Sequence, residues 1–290
     1  MTDVLDQTIT DRFALYHSDC VDVLAGLPTG SLHYSVFSPP FASLYTYSAS
    51  PRDFGNSDHS QFFEQMVWMA GELFRVLKPG RLVSFHCMLL PLSKASFGRI
   101  ELSDFRGDLI RLFKAAGFLY HSEVCIWKDP VVQMQRTKAL GLLHKQIKKD
   151  SCRSRMGLAD YLVTMGKPGD NPEPVTHDDT DLPVTLWQRY ASPVWMDIDP
   201  SDTLQFRSAR EDADERHVCP LQLEVIRRAI HLWSNPGDTV LSPFAGIGSE
   251  GYVALEMGRK FVGAELKASY YKQAVANLRA VESPAQRTLF

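Results

Sequence analysis

Asp238-Thr239-Val240-Leu241-Ser242-Pro243-Phe244-Ala245-Gly246-Ile247-Gly248-Ser249 runs from an apolar segment of strand type directly into a Gly-x-Gly turn. Residues 250–257 then have helical character, and residues 260–265 form a second short apolar strand that ends on Glu265. A strand, a glycine turn, a helix and a strand with a terminal acid make a βαβ unit, the arrangement by which α/β folds hold a nucleoside. Gly246 and Gly248 let the backbone come close to a ligand, and the Glu265 carboxylate can accept from both ribose hydroxyls. A plain βαβ crossover with a packing glycine has a similar outline, so this unit sets the fold class before it sets a reaction.

A second motif lies near the other end of the chain. The apolar strand 32–37 leads into Ser38-Pro39-Pro40-Phe41, where two prolines end the ladder because neither can donate a backbone hydrogen bond. Carbonyls beside a Pro-Pro pair have no competing N–H, and Phe41 adds a flat apolar face. Such a surface suits a flat ring bearing an amino group, with oxygens accepting from the NH2 and the aromatic ring stacking. Pro-rich turns after strands are common, so the tetrapeptide alone is a weak signal.

Taken together, and in this order, the two motifs resemble those of the S-adenosylmethionine-dependent amino-methyltransferases of DNA, the N4/N6 DNA methylase family. The family's catalytic tetrapeptide is Asp/Ser/Asn-Pro-Pro-Tyr/Phe, and its cofactor motif is Asp-Pro-Phe-x-Gly-x-Gly-Thr, here residues 242–249. The catalytic motif comes first, as in the permuted β subgroup, and the resemblance covers nearly the whole chain. It implies a Rossmann-like seven-stranded methyltransferase sheet, α/β in class and circularly permuted, with a small irregular target-recognition region. Residues 1–167 are then the catalytic half with a basic insertion at 128–157, residues 168–216 the recognition region, and residues 217–290 the cofactor half.

The same resemblance implies Ser38, Pro39, Pro40 and Phe41 as catalytic residues. It implies Asp19, His217, Pro220, Ser242, Phe244, Gly246, Gly248, Ser249 and Glu265 as the wall of an S-adenosyl-L-methionine pocket. Asp19 lies in Ser18-Asp19-Cys20, the counterpart of the family's Gly-Asp-Cys, and is equally suited to a helix N-cap. The chain departs from the family pattern at Ser242, usually Asp, at Ser249, usually Thr, and at Phe41, which lacks the Tyr hydroxyl. Ser at position 38 leans toward cytosine N4, with adenine N6 as the alternative. An RNA amino-methyltransferase and a non-catalytic DNA-binding subunit are further readings of the same core. A nicotinamide dehydrogenase would leave Ser-Pro-Pro-Phe unexplained.

With 290 residues, 44% hydrophobic and 22% charged, the chain is long enough for one large α/β domain with an elaboration. The net charge of −3 rules out capture of nucleic acid by the global field. Cations instead gather locally: Arg136, Lys138, Lys145, Lys148, Lys149, Arg153 and Arg155 face the single acid Asp150, and form the candidate contact to double-stranded DNA. Residues 137–149 read as a helix whose stripe Leu140, Leu143, His144 and Ile147 packs on the body. Five scattered cysteines without a Cys-x-x-Cys fit reduced thiols and no zinc site. The absence of an apolar run of about 20 residues and of a signal-type N-terminus suggests a cytoplasmic protein. A homodimer and a restriction endonuclease are the further partners that the resemblance allows.

The remaining pattern is ordinary α/β. Strands are expected at 13–17, 82–86, 119–127 and 158–165, and helices at 21–27, 61–77, 105–115, 221–233 and 270–280, with Lys78-Pro79-Gly80 as a helix stop. Residues 42–59, rich in aromatic and turn residues, read as a lid over the target base or a static loop.

Overall fold

The computed structural model describes residues 4–40, 59–92, 98, 101–137, 142–205 and 220–282. The chain runs through β1 (Asp6–Ile9), β2 (Phe13–His17), α1 (Cys20–Gly26), β3 (Leu32–Phe37), α2 (His59–Val76), β4 (Leu77–Met88), β5 (Leu90–Leu92) and β6 (Glu101–Ser103). It continues through α3 (Phe105–Ala115), β7 (Leu119–Ile126), α4 (Pro130–Thr137), α5 (His144–Lys149), β8 (Asp160–Gly166), α6 (Val184–Tyr190) and β9 (Val194–Trp195). The last part is α7 (Leu223–Trp233), β10 (Thr239–Ser242), α8 (Ser249–Glu256), β11 (Lys260–Glu265) and α9 (Ala268–Glu282).

Among the described residues, one sheet of nine strands, in the order β1-β2-β11-β10-β3-β4-β8-β7-β9, organises the fold. Its seven central strands, from β2 to β7, are the expected methyltransferase sheet; β1 and the two-residue β9 extend it at either edge. Strands β2, β11, β10, β3 and β4 are mutually parallel, and β8 is antiparallel to both its neighbours. The permutation is visible as β10, late in the chain, pairing with the early β3, Val240 opposite Tyr34 and Leu241 opposite Ser35. Chain direction diverges from this pair. From β10 the path goes through α8 to β11 on one side, and from β3 through α2 to β4 on the other. A crevice therefore opens beyond the carboxyl ends of β10 and β3.

Strands buried on both faces explain the near-continuous apolar runs. On one face, Phe62, Met66, Met69 and Leu73 of α2 and Leu109 and Phe113 of α3 pack on Phe37, Val83, Phe85 and Val163. On the other, Val225, Ile226 and Ile230 of α7, with residues of α8 and α9, cover Tyr34, Val36, Val240 and Leu162.

Three expectations need correction. The helix stops within a residue of the expected place, α2 ending at Val76, but Lys78-Pro79-Gly80 belongs to β4, which starts at Leu77 and not at residue 82. Residues 78–81 bulge instead between the pairs Leu32–Leu77 and Tyr34–Leu82, where Pro79 needs no ladder partner. Residues 137–149 are not one helix: α4 ends at Thr137, and Leu143 has an extended backbone, with ψ of 129°, as N-cap of the separate α5. Nor is the described part of the apolar stripe buried: Leu143 is half-buried and His144 exposed, and Leu140 lies outside the described residues. No residue of α5 is buried, and Ile147 is 44% exposed.

The stretch read as irregular is fastened to the body at residues 176–199. Trp195 and Tyr190 are buried, and Trp195 Nε1 donates to the Tyr190 carbonyl at 3.1 Å. Between these rings lies the fully buried guanidinium of Arg228 from α7, 5.0 Å from Trp195 and 5.2 Å from Tyr190. It donates to both Asp197 oxygens at 3.0 and 2.8 Å and to Glu224 at 2.9 Å. These bonds from Arg228, aided by Arg189 against the effect of burial, hold the Asp197 carboxyl down at about 2. Asp181 adds a second tie, 2.6 Å from His177 Nδ1 and 3.0 Å from His231 Nε2 of α7. Among the described residues, no helix is long and apolar enough to cross a membrane.

Trp195→Ala should lower the unfolding free energy by about 3–5 kcal/mol, the range for a deleted buried aromatic, seen as a reduced urea midpoint. The Asp197 contribution is present above the ordinary carboxylate range and is lost as pH falls from about 4 toward 2.

Candidate active site

The cofactor half of the site is built at the end of β10. Ser242 is fully buried, and its hydroxyl has no hydrogen-bond partner among the described residues. Gly246 follows with φ +54° and open space where a Cβ would stand, and Gly248 caps α8 with φ +86°. A Cβ on Gly248 would come within 3.2 Å of the Ala274 Cβ, so the turn needs glycine for both its conformation and its packing. Glu265 closes the mouth: its Oε2 accepts from Gly246 N and its Oε1 from Lys267 N, each at 2.8 Å. Phe244 lies with its ring 5.8 Å from that of Phe37, joining the two motifs across the crevice. Ser249 is buried at the start of α8, and half-buried Pro220 leads toward α7.

Asp19 is brought to this corner by the pairing of β2 with β11, where Ser18 N donates to the Glu265 carbonyl at 3.2 Å. Its carboxylate accepts from Val21 N at 2.9 Å and so caps α1, the second of its two expected roles. An open turn over Gly246, a strand-end carboxylate and the unpaired Ser242 hydroxyl are the donors, acceptors and space that a nucleoside cofactor requires. The pocket residues therefore fit S-adenosyl-L-methionine. Beside them, Glu250 is buried in the first turn of α8. Burial pushes its carboxyl up to about 8, the nearby Glu265 adding to the rise against its own backbone N–H.

The catalytic half is built at the end of β3. Pro39 is buried, and Ser38 and Pro40 are half-buried. The Ser38 hydroxyl is 3.2 Å from Nδ1 of His86 on β4. The other imidazole nitrogen, Nε2, approaches Asp160 Oδ2 of β8 at 3.0 Å, a contact without hydrogen-bond alignment. Lys128 Nζ meets the same oxygen at 2.5 Å. Burial raises the Asp160 carboxyl, but His86 and Lys128 more than compensate and hold it below its usual range. His86, Asp160 and Lys128 were missed in the sequence because each is a lone polar residue at a strand end. The available signal was a histidine closing the apolar run 82–86, with an acid opening the run 160–166.

Strand directions place the remaining candidates. Since β8 is antiparallel to β4 and β7, the segment 127–159 leaves and re-enters the sheet at the edge that carries Ser38. Lys145, Lys148 and Lys149 are exposed there. Arg153 is exposed and bridges Asp150 at 3.2 Å, while half-buried Arg155 donates to the Met156 carbonyl at 3.1 Å. Arg136 is the penultimate residue of α4. Phe41, Lys138, His217 and residues 42–58 of the loop expected at 42–59 lie outside the described residues, and His59 opens α2.

Residues 32–276 match the sequence model of the DNA methylase family N6_N4_Mtase. The chain belongs to the N6/N4 DNA methylase family. Membership makes it an S-adenosylmethionine-dependent DNA methyltransferase acting on an exocyclic amine, N4 or N6. Among relatives of this family, the type II methyltransferase M.XycI of Xanthomonas campestris pv. cyanopsidis is 25% identical over 289 residues, 93% of this chain and 88% of that protein. The DNA adenine methyltransferase YhdJ of Escherichia coli K12 is 40% identical over 81 residues, a match that spans 27% of this chain and 28% of that protein. The fold is shared with TTHA0409 of Thermus thermophilus, solved with S-adenosyl-L-methionine, at a TM-score of 0.68 and 22% identity over 94% of this chain and 97% of that one. It is also shared with the cytosine-N4-specific PvuII DNA methyltransferase, at 0.66 and 17% identity over 92% and 86%.

Because Glu250 is held neutral by burial, stability should fall as pH rises from about 4 to 8, where the folded state must ionise a carboxyl that the unfolded chain ionises freely. Glu250→Gln should flatten that slope in urea midpoints measured at pH 5 and pH 8.

Proposed function

We propose that this methyltransferase acts on the N4 amine of a cytosine flipped out of duplex DNA at a specific sequence. The observation that carries the reading is the half-buried Ser38 hydroxyl at the carboxyl end of β3, beside the glycine turn of β10. An exocyclic amine is a poor nucleophile because its lone pair is delocalised into the ring. Acceptors on its two N–H bonds draw the nitrogen toward tetrahedral geometry and localise that pair. In this reading the Ser38 side chain and the Pro39 carbonyl are those acceptors, Pro39 and Pro40 keep them rigid, and Phe41 stacks on the flipped base. Bound S-adenosylmethionine would supply the methyl group that this lone pair accepts. The residues Asp19, His217, Pro220, Ser242, Phe244, Gly246, Gly248, Ser249 and Glu265 would line its pocket, and no covalent enzyme intermediate is involved.

Residues 168–216 are assigned to target recognition, with the basic insertion 128–157 sharing the contact to phosphates. The insertion's position at the catalytic edge and its exposed lysines support this division. A restriction endonuclease of the same specificity would be the functional partner, acting with this chain in the cytoplasm. The 40% identity with a DNA adenine methyltransferase over 81 residues favours adenine N6 as the second reading.

Incubation with labelled S-adenosylmethionine and unmethylated duplex DNA, then digestion and mass spectrometry, should yield N4-methylcytosine. N6-methyladenine would keep the mechanism and replace the base, whereas unlabelled DNA despite cofactor binding would overturn the reading. Phe41→Ala should abolish transfer and largely preserve cofactor binding measured by calorimetry. The triple change of Lys145, Lys148 and Lys149 to Gln should weaken DNA binding. If each lysine releases one phosphate counterion, the slope of log K against log salt drops by about 3 × 0.9.

A further inference from the structure

We propose that His86 is the proton acceptor behind Ser38, held for that task by Asp160, so that the amine proton leaves the site along Ser38–His86–Asp160. The inference rests on the reading that Ser38 faces the target amine. Transfer of a methyl leaves the amine nitrogen with one proton too many, and a serine hydroxyl can pass that proton on but cannot keep it. His86 Nδ1 is the acceptor within reach, 3.2 Å from the hydroxyl. Its ring is buried at the end of β4, and its far nitrogen lies 3.0 Å from a carboxylate that is itself nearly fully buried. Carboxylate beside Nε2 and hydroxyl beside Nδ1 select the tautomer with its proton on Nε2, leaving the Nδ1 lone pair to accept from Ser38.

The step balances. The amine N–H bond breaks with its electron pair left on nitrogen, and that proton joins the Ser38 oxygen. The original hydroxyl proton moves at the same time to His86 Nδ1. No electron is gained or lost, and the imidazolium charge falls against Asp160. Among the described residues, the groups facing His86 are Ser38 from β3, Asp160 from β8 and, through Asp160, Lys128 beyond the end of β7. Cys87, on the opposite face of β4, has its thiol pushed up by burial, with Asp160, Arg106, Glu123 and Asp104 acting on it. Lys128 Nζ stands on the same Asp160 oxygen, 2.5 Å away.

Two measurements test this. In the protein without cofactor, 15N NMR of His86 should show the Nε2–H tautomer, with an Nδ1 resonance that moves on Ser38→Ala; the Nδ1–H tautomer, or an unmoved resonance, overturns the relay. Single-turnover transfer from labelled S-adenosylmethionine to long unmethylated duplex DNA is then followed across about pH 5 to 9 for wild type, Ser38→Ala, His86→Asn and the double variant. His86→Asn still accepts from the Ser38 hydroxyl but cannot take its proton. It should be slower by about 10²-fold, lack the acid limb of the wild-type profile, and keep the cofactor affinity and melting temperature. The double variant should be no slower than Ser38→Ala alone, as for groups acting as one unit. A His86→Asn rate within about threefold of wild type, or a retained acid limb, overturns the relay while a slow Ser38→Ala leaves the site reading standing. Wild-type transfer by Ser38→Ala overturns the site reading itself. If His86→Asn melts early, the NMR tautomer of the wild type decides.

Discussion

The pairing of β10 with β3 is the constraint on which the rest depends. Two strands roughly 200 residues apart in sequence lie side by side, fixed by the register of Val240 on Tyr34 and by the Ser35 hydroxyl donating to the Leu241 carbonyl at 3.0 Å. Parallel strands cannot be joined by tight turns, so each needs a helical crossover, and the crossovers cover both faces of the sheet. The glycine turn and the Ser-Pro-Pro motif then emerge from adjacent strand ends on one edge. The Phe37–Phe244 contact closes the gap between them below the crevice.

A ladder of hydroxyls carries this order into the next strands. Tyr34 donates to Ser84 at 2.7 Å, and Ser84 meets Thr164 at 2.9 Å, linking β3, β4 and β8 through the interior. Burial pushes the Tyr34 phenol up, so it remains a donor. In the same antiparallel register Met88 stands opposite Asp160 and His86 opposite Leu162, which makes His86 and Asp160 diagonal neighbours on one face. The contact of His86 with Asp160 behind Ser38 is thus a consequence of sheet register.

Along α7, the chain 176–199 is anchored by a buried cation. Arg228 sits between Tyr190 and Trp195 with its donors taken by Asp197 and Glu224, a geometry that a lysine could not reproduce. A segment rich in Pro and Asp would otherwise have little apolar surface with which to hold itself to the body.

The sequence alone determined the fold class, the order of the two motifs and most element positions, because each rests on local chemistry: strands on apolar runs, turns on Gly and Pro, the nucleoside turn on Gly246, Gly248 and Glu265. Where local preference was weak the reading failed, as at residues 137–149, where Leu143 breaks the expected helix and the described α5 buries no residue. Only tertiary structure decided that Lys78-Pro79-Gly80 bulges beside β3, and that Asp19 caps a helix next to Glu265. It alone assembled Ser38, His86, Asp160 and Lys128. Those four residues come from two strands, β4 and β8, and from the loops that follow β3 and β7, and nothing in their mutual spacing marks them as a group. Their meeting follows from sheet order and register, which long-range pairing sets.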